Sequence, residues 1–156
     1  MTGKFERSTE TITDRAKGSA KIQLSADRTS SQAWCERGCM ENPLVARILA
    51  RVEELLGVPR ANFENLQLLR YEEGQQYKLH HDFSESHRDT PAGVRVLTFF
   101  LYLSDVDDGG ETAFPHLKPP LVVSPRKGSA ILWPSVQPAD LSRVDWRTKH
   151  EARSIA

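Results

Sequence analysis

Residues 94–104 read VRVLTFFLYLS, an unbroken apolar run that decides what kind of fold this chain can adopt. In an extended backbone Val94, Val96, Thr98, Phe100 and Tyr102 share one side, and Leu97, Phe99, Leu101 and Leu103 share the other. β-Branched and aromatic residues favour a pleated strand. Apolar residues on both sides imply a strand covered on both faces. The run falls well short of the roughly 18 to 20 apolar residues of a spanning helix, and so does every other apolar stretch.

Working outward, LQLLRY (66–71) and YKLHHDF (77–83) flank the polar turn EEGQQ and read as two more strands. On the other side, LVVSP (121–125), GSAILWP (128–134) and RTKHEARSIA (147–156) supply short strands punctuated by Pro and Gly. One segment reads as a long helix. Asn42 is placed to cap it and Pro43 to open its first turn, Leu44, Ile48, Val52 and Leu55 recur at helical spacing with Val45, Leu49 and Leu56 beside them, and Gly57 and Pro59 end it. That spacing predicts an amphipathic helix packed across a sheet. Many short strands with a single long helix argue for a mainly β sandwich or barrel, not alternating β-α units.

The 156 residues suffice for one domain, and 21 basic against 21 acidic residues leave no net field to gather nucleic acid or an anionic membrane. The N-terminal MTGKFERSTETITDR lacks the apolar region of a signal peptide, and residues 1–27 read as a poorly packed segment. Cys35 and Cys39 are too few for a structural zinc site. They are expected as free thiols or in a local structural role, with a bridge left open because one helical turn can bring two Cα atoms within roughly 6 Å.

The strand YKLHHDF carries the chemistry. Alternation puts His80 and Asp82 on one face and Leu79, His81 and Phe83 on the other, which makes His80 and Asp82 the natural pair. A His-x-Asp pair alone is weak, since polar residues two apart are common on wet strand faces. It gains force if a second imidazole joins, because two imidazoles and a carboxylate on one face of an octahedron leave the other positions open. His150 is the candidate. His116 sits in a turn-like FPHLKPP, and His87 reads as a loop residue.

LRYEEGQQYKLHHD, RVLTFFLYLSDVDDGGETAFP, PRKGSAILWPS and RTKHEA, in that order, resemble the prolyl 4-hydroxylase type of iron(II) and 2-oxoglutarate-dependent dioxygenase. The resemblance covers roughly residues 28–152. It implies a double-stranded β-helix (jelly roll, cupin-like) over 28–156, with His80, Asp82 and His150 holding Fe(II) and Tyr71 and Tyr102 lining the 2-oxoglutarate pocket. Tyr77, Arg95, Trp133 and the Arg28-Thr29-Ser30 loop would lie near a proline-containing peptide or protein. The implied reaction hydroxylates peptidyl proline to 4-hydroxyproline with release of succinate and CO2, ascorbate rescuing oxidised iron, in the endoplasmic reticulum.

Each of these residues also has a plainer reading. Tyr71 and Tyr102 suit amphipathic strand positions, Arg95 a surface cation, Trp133 simple packing, and Asp107 and Asp108 a turn. The family pattern carries a basic residue beyond the distal histidine to anchor 2-oxoglutarate, and that position passes Ala156. The resemblance therefore implies a chain shortened at both ends and lacking C-terminal strands, with His150 on a fraying terminal segment. The alternative is a non-catalytic jelly-roll peptide-binding remnant of that family. A related dioxygenase acting on another substrate is a third reading.

Overall fold

The computed structural model describes residues 4–14, 19–87 and 93–156. The apolar run forms β7 (Leu97–Leu101), shorter than the sequence suggests, which pairs antiparallel with β10 (Ala130–Pro134) so that Thr98 faces Trp133 and Phe100 faces Ile131. Opposite lies a four-stranded sheet of β6 (Tyr77–His80), β13 (His150–Ala152), β8 (Thr112–Phe114) and β9 (Leu121–Val123), in that spatial order. Rings close the gap between the layers. Trp133 on β10 lies 5.3 Å from Phe114 on β8 and 4.6 Å from His150 on β13, centroid to centroid. Pairing of β6 with β13 and of β7 with β10 joins strands far apart in the chain, the crossover pattern of a jelly roll. Phe114 and Trp133 are 3% and 6% exposed, and burial of each contributes about 1.5–3 kcal/mol.

Before Arg28 the chain is more tied down than its composition suggests. β1 (Glu6–Arg7) pairs with β4 (Ser31–Trp34), which pairs with β5 (Gln67–Arg70), while β2 (Thr9–Asp14) and β3 (Ser19–Leu24) form a two-stranded ribbon. Backbone pairing and buried hydroxyls hold this segment, with the Phe5 ring under the Arg70 guanidinium at 4.9 Å. Ser8 and Ser30 are fully buried with their hydroxyls 3.1 Å apart, and the Arg7 guanidinium donates to the carbonyls of Arg28 and Ser30.

After the short α1 (Arg37–Met40), α2 (Pro43–Leu56) begins and ends where predicted. The Asn42 side chain accepts from the Leu44 N–H at 2.9 Å, and Gly57 closes the helix with φ of 63°. Its buried stripe differs from the expected one. Leu49 and Val52 are buried, whereas Leu44 and Leu55 remain 66% and 69% exposed. Among the described residues no helix is long and apolar enough to cross a membrane.

Of the alternatives left open for the two cysteines the structure takes the bridge: Cys35 and Cys39 form a disulfide, not free thiols, their Cα atoms 5.1 Å apart. Cys35 follows the end of β4 and Cys39 lies in α1, so the turn from strand into helix brings the sulfurs together.

The expected fraying of the tail is also corrected. β13 is paired on both edges, with β6 and with β8. Beyond it Ile155 bridges to Glu73 and to Gly109, the Gly110 N–H donates to the Ser154 carbonyl, and the Ala156 N–H donates to the Asp108 carbonyl. Gly109 permits this approach. Its φ is 74°, and a Cβ there would collide with the Ser154 carbonyl oxygen. β11 (Val136–Gln137) and β12 (Asp140–Val144) form a hairpin that leads through a 3-10 turn at Trp146–Thr148 into β13.

Candidate metal centre

His80 closes β6 and stands directly across from His150 on β13. Residues facing each other across an antiparallel pair put their side chains on the same face, and here the two rings lie 4.2 Å apart, edge to face. Asp82 lies two residues past His80, just beyond the strand end, and still turns its carboxylate to the same point. The ligand-type atoms of the three residues fall within 4.8 Å of one another, and among the described residues no other such group forms.

Each imidazole is held by its own chain. His80 Nδ1 lies 2.8 Å from the Lys78 carbonyl and His150 Nδ1 lies 3.0 Å from the Thr148 carbonyl. A carbonyl only accepts, so both Nδ1 atoms carry the proton and both Nε2 lone pairs are free. Those two Nε2 atoms each lie 3.7 Å from Asp82 Oδ1. The other carboxylate oxygen, Oδ2, is occupied: it accepts from Thr98 Oγ1 at 2.5 Å and from Trp133 Nε1 at 3.1 Å. Burial, and next the facing His150, push the His80 pKa down from 6.5 to about 4. At neutral pH His80 is therefore an uncharged imidazole, the ligating form. Two imidazoles with aligned lone pairs and one oriented carboxylate oxygen fit a borderline divalent metal such as ferrous iron.

The neighbouring histidine has a different task. His81 Nε2 donates to the Asp145 carbonyl at 3.0 Å, and its Nδ1 accepts from the Phe83 N–H at 3.0 Å. Both nitrogens are spent on backbone. His116 is exposed in the turn after β8, and His87 belongs to a 3-10 turn at Glu85–His87.

The other sequence-derived candidates are distributed unevenly around the triad. Tyr77 stacks flat on His80, 3.5 Å between centroids at 14°, and the Arg28 guanidinium sits over the Tyr77 ring at 5.1 Å. Burial raises the Tyr71 pKa, and the charge of Arg28 and the neighbouring Ser30 partly offset that rise. Arg28, Tyr71 and Tyr77 thus form one half-buried wall beside His80. Tyr102 is turned into the core, its hydroxyl donating to Thr112 Oγ1 at 2.7 Å. Arg95 is held in a two-pronged pair with Glu64 at 2.6 and 2.9 Å, which lowers the Glu64 pKa.

Trp133 is placed otherwise than expected: it is buried and gives its N–H to Asp82, so packing and the carboxylate claim it before a peptide can. Thr98 went unnoticed in the sequence. The available signal was its place facing Trp133 within an apolar strand, where a lone hydroxyl needs a partner.

Comparison with known proteins gives this geometry a lineage. The 2OG-Fe(II) oxygenase superfamily matches residues 66–156, which contain all three triad residues. The chain belongs to that superfamily. It is similar to the prolyl 4-hydroxylase subunit alpha-1 of Gallus gallus, 34% identical over 137 residues covering 85% of this chain and 25% of the relative. It is similar also to the probable prolyl 4-hydroxylase 8 of Arabidopsis thaliana, 44% identical over 92 residues covering 58% of this chain and 31% of the relative. The chain thus spans about a quarter to a third of the length of these curated relatives.

Among solved structures, the 2OG complex of the viral collagen prolyl hydroxylase from Paramecium Bursaria Chlorella virus-1 superposes with a TM-score of 0.67 at 27% identity. That match covers 83% of this oxygenase chain and 74% of the viral one. It supports the jelly-roll architecture.

Proposed function

We propose that this oxygenase hydroxylates peptidyl proline at the 4-position, using Fe(II), 2-oxoglutarate and O2 and releasing succinate and CO2. The observation that carries the reading is the convergence of His80 Nε2 and His150 Nε2 on Asp82 Oδ1, 3.7 Å from each. Superfamily membership and the named prolyl hydroxylase relatives supply the substrate class. An intact and oriented donor set favours catalysis over a binding-only remnant.

In this reading His80, Asp82 and His150 would hold the iron, which with 2-oxoglutarate and O2 would supply an oxidant strong enough for an unactivated C–H bond. The chain's own part is placement and exclusion of water. The Nδ1–H bonds to Lys78 and Thr148 fix which ring nitrogen faces the metal. Phe114 and Trp133 cover the inner side of His150 with apolar surface, keeping bulk water from the reacting atoms. Arg28 and Tyr71 offer a cation and a phenol beside His80, suited to a carboxylate. In this reading Tyr77, stacked on His80, and Arg95, paired with Glu64, would border the peptide. Ascorbate in solution would keep that iron ferrous, as is typical of the family.

An oxidising lumen such as the endoplasmic reticulum fits the Cys35–Cys39 bridge, because such bonds persist where the glutathione pool does not reduce them. The test supplies purified chain with Fe(II), 2-oxoglutarate, ascorbate and a proline-rich peptide, and measures succinate and oxygen added to the peptide. Both should appear with the parent chain and vanish with His80→Ala. Succinate release unchanged by that substitution refutes the triad, and equal turnover of a proline-free peptide refutes the prolyl substrate.

A further inference from the structure

We propose that Thr98 and Trp133 act as a clamp that restricts Asp82 to ligation through one oxygen, and so set how many positions on the metal stay open. This rests on the oxygenase reading above.

A carboxylate can offer a metal one oxygen or both. Here the two oxygens of Asp82 are in different surroundings. Oδ1 faces the two imidazole Nε2 atoms, while Oδ2 accepts two hydrogen bonds, from Thr98 Oγ1 at 2.5 Å and Trp133 Nε1 at 3.1 Å. Hydrogen bonds to an ionised acceptor are the strong class, and Oδ2 would have to surrender or weaken both to join a metal.

The donors are well anchored. Thr98 on β7 and Trp133 on β10 face each other in register, so they reach Oδ2 as a pair from the sheet opposite β6 and β13. The Trp133 ring is 6% exposed and is flanked by Phe114 at 5.3 Å and Phe100 at 6.3 Å. Thr98 acts through Asp82 alone, whereas Trp133 also packs against the His150 ring at 4.6 Å, so Thr98→Val is the cleaner probe of these two positioning residues.

The count of open positions matters to the chemistry. On a six-coordinate ion, two imidazoles and one carboxylate oxygen leave three positions. A cosubstrate binding through two oxygens then leaves one for O2. If Asp82 supplied both oxygens only two positions would remain, and the cosubstrate would fill them.

The experiment uses the full chain loaded with Mn(II) and reads the relaxation of solvent water protons per bound ion, which reports how many waters the metal carries. Thr98→Val keeps its shape and Trp133→Phe keeps a smaller aromatic ring, together removing both donors, and Thr98→Ser retains a hydroxyl. The parent and Thr98→Ser should give equal enhancement. The double variant should fall by about one third, as three waters become two, with Mn(II) affinity kept within about threefold. Thr98→Val alone should move the same way by less, and serves if the double variant does not fold.

An unchanged enhancement per bound ion in a folded double variant overturns the clamp. So does a folded variant that loses Mn(II), since a freed carboxylate gains a bond. Asp82→Ala separates the two levels: undiminished Mn(II) binding there refutes the metal reading itself, whereas loss there with unchanged relaxation in the clamp variants refutes only the clamp.

Discussion

Replacing Gly109 by Ala should loosen the strand that carries His150, although Gly109 is far from it in sequence. Three costs add. The residue has φ of 74°, and holding an L side chain in that region costs roughly 1 kcal/mol. The new Cβ would collide with the Ser154 carbonyl oxygen and come within 3.1 Å of Ala156 N and Ile155 Cα, all backbone atoms that cannot rotate aside. To relieve the collision the tail must move off, giving up the bonds from Gly110 N to Ser154 O, from Ala156 N to Asp108 O and from Gly74 N to Ile155 O. At about 1 kcal/mol net for each bond, the sum is about 3–5 kcal/mol.

Gly128→Ala is the control, because φ there is 82° but a Cβ meets nothing within 4 Å, so only the conformational cost applies, about 1 kcal/mol. Urea unfolding of both variants measures the difference, and hydrogen exchange of residues 153–156 locates it. Gly109→Ala should also weaken Mn(II) binding, since β13 would then lose the hold of its tail. Equal stability losses at positions 109 and 128, with tail protection unchanged, would refute the argument that this contact pins the metal-bearing strand.

Three further outcomes follow from the same geometry. His81→Ala should cost about 1–2 kcal/mol by removing its bonds to the Asp145 carbonyl and the Phe83 N–H, and should weaken Mn(II) binding without abolishing it, as urea unfolding and calorimetry would show together. With metal chelated, stability should be flat above pH 6.5 and fall as pH drops toward about 4. His80 is uncharged when folded, so the unfolded chain takes the proton first, and a urea midpoint constant from pH 7 to pH 5 would contradict this. Arg95→Ala should change stability by less than about 1 kcal/mol, because the Glu64 pair is more than a third exposed. The same change should raise the peptide KM without altering Mn(II) affinity.

What the sequence disclosed depended on whether the signal was local. The run 94–104, the capped helix after Asn42 and the alternation that separates His80 from His81 all rest on near neighbours, and each appears in the structure. The face of α2 was misjudged because apolar spacing cannot say which stripe meets the core: Leu44 fits the period as well as Leu49, and only Leu49 is buried. The recruitment of residues before Arg28 was hidden because it uses serine hydroxyls and strand edges, which carry no apolar pattern. The fixed tail was hidden for a similar reason. Ile155 bridges Glu73 and Gly109 through backbone, and nothing in the tail's own composition names those partners. Even the triad was only half legible, since His80 and Asp82 are local while His150 depends on a strand register set from outside.

That register explains why two histidines stand side by side. In an antiparallel pair a slip of one residue turns every side chain to the other face, so a slip of β13 against β6 would present Lys149 or Glu151 where His150 belongs. Pairing of Glu151 with Ala113 on β8, and the bridges of Ile155, hold the strand from its far side. From the near side the hold comes through Asp145. Its carbonyl accepts from Thr148 N, from Thr148 Oγ1 and from His81 Nε2, while its carboxylate accepts from the Arg147 N–H, which closes the 3-10 turn feeding β13. His81 thus ties the entry of β13 to the end of β6. Alternation sends one imidazole to the metal face and the next to this turn, so His80 would serve the ion by direct contact and His81 by keeping the second imidazole opposite it. A metal site split between strands about 70 residues apart needs such a link, because neither strand alone specifies where the other begins.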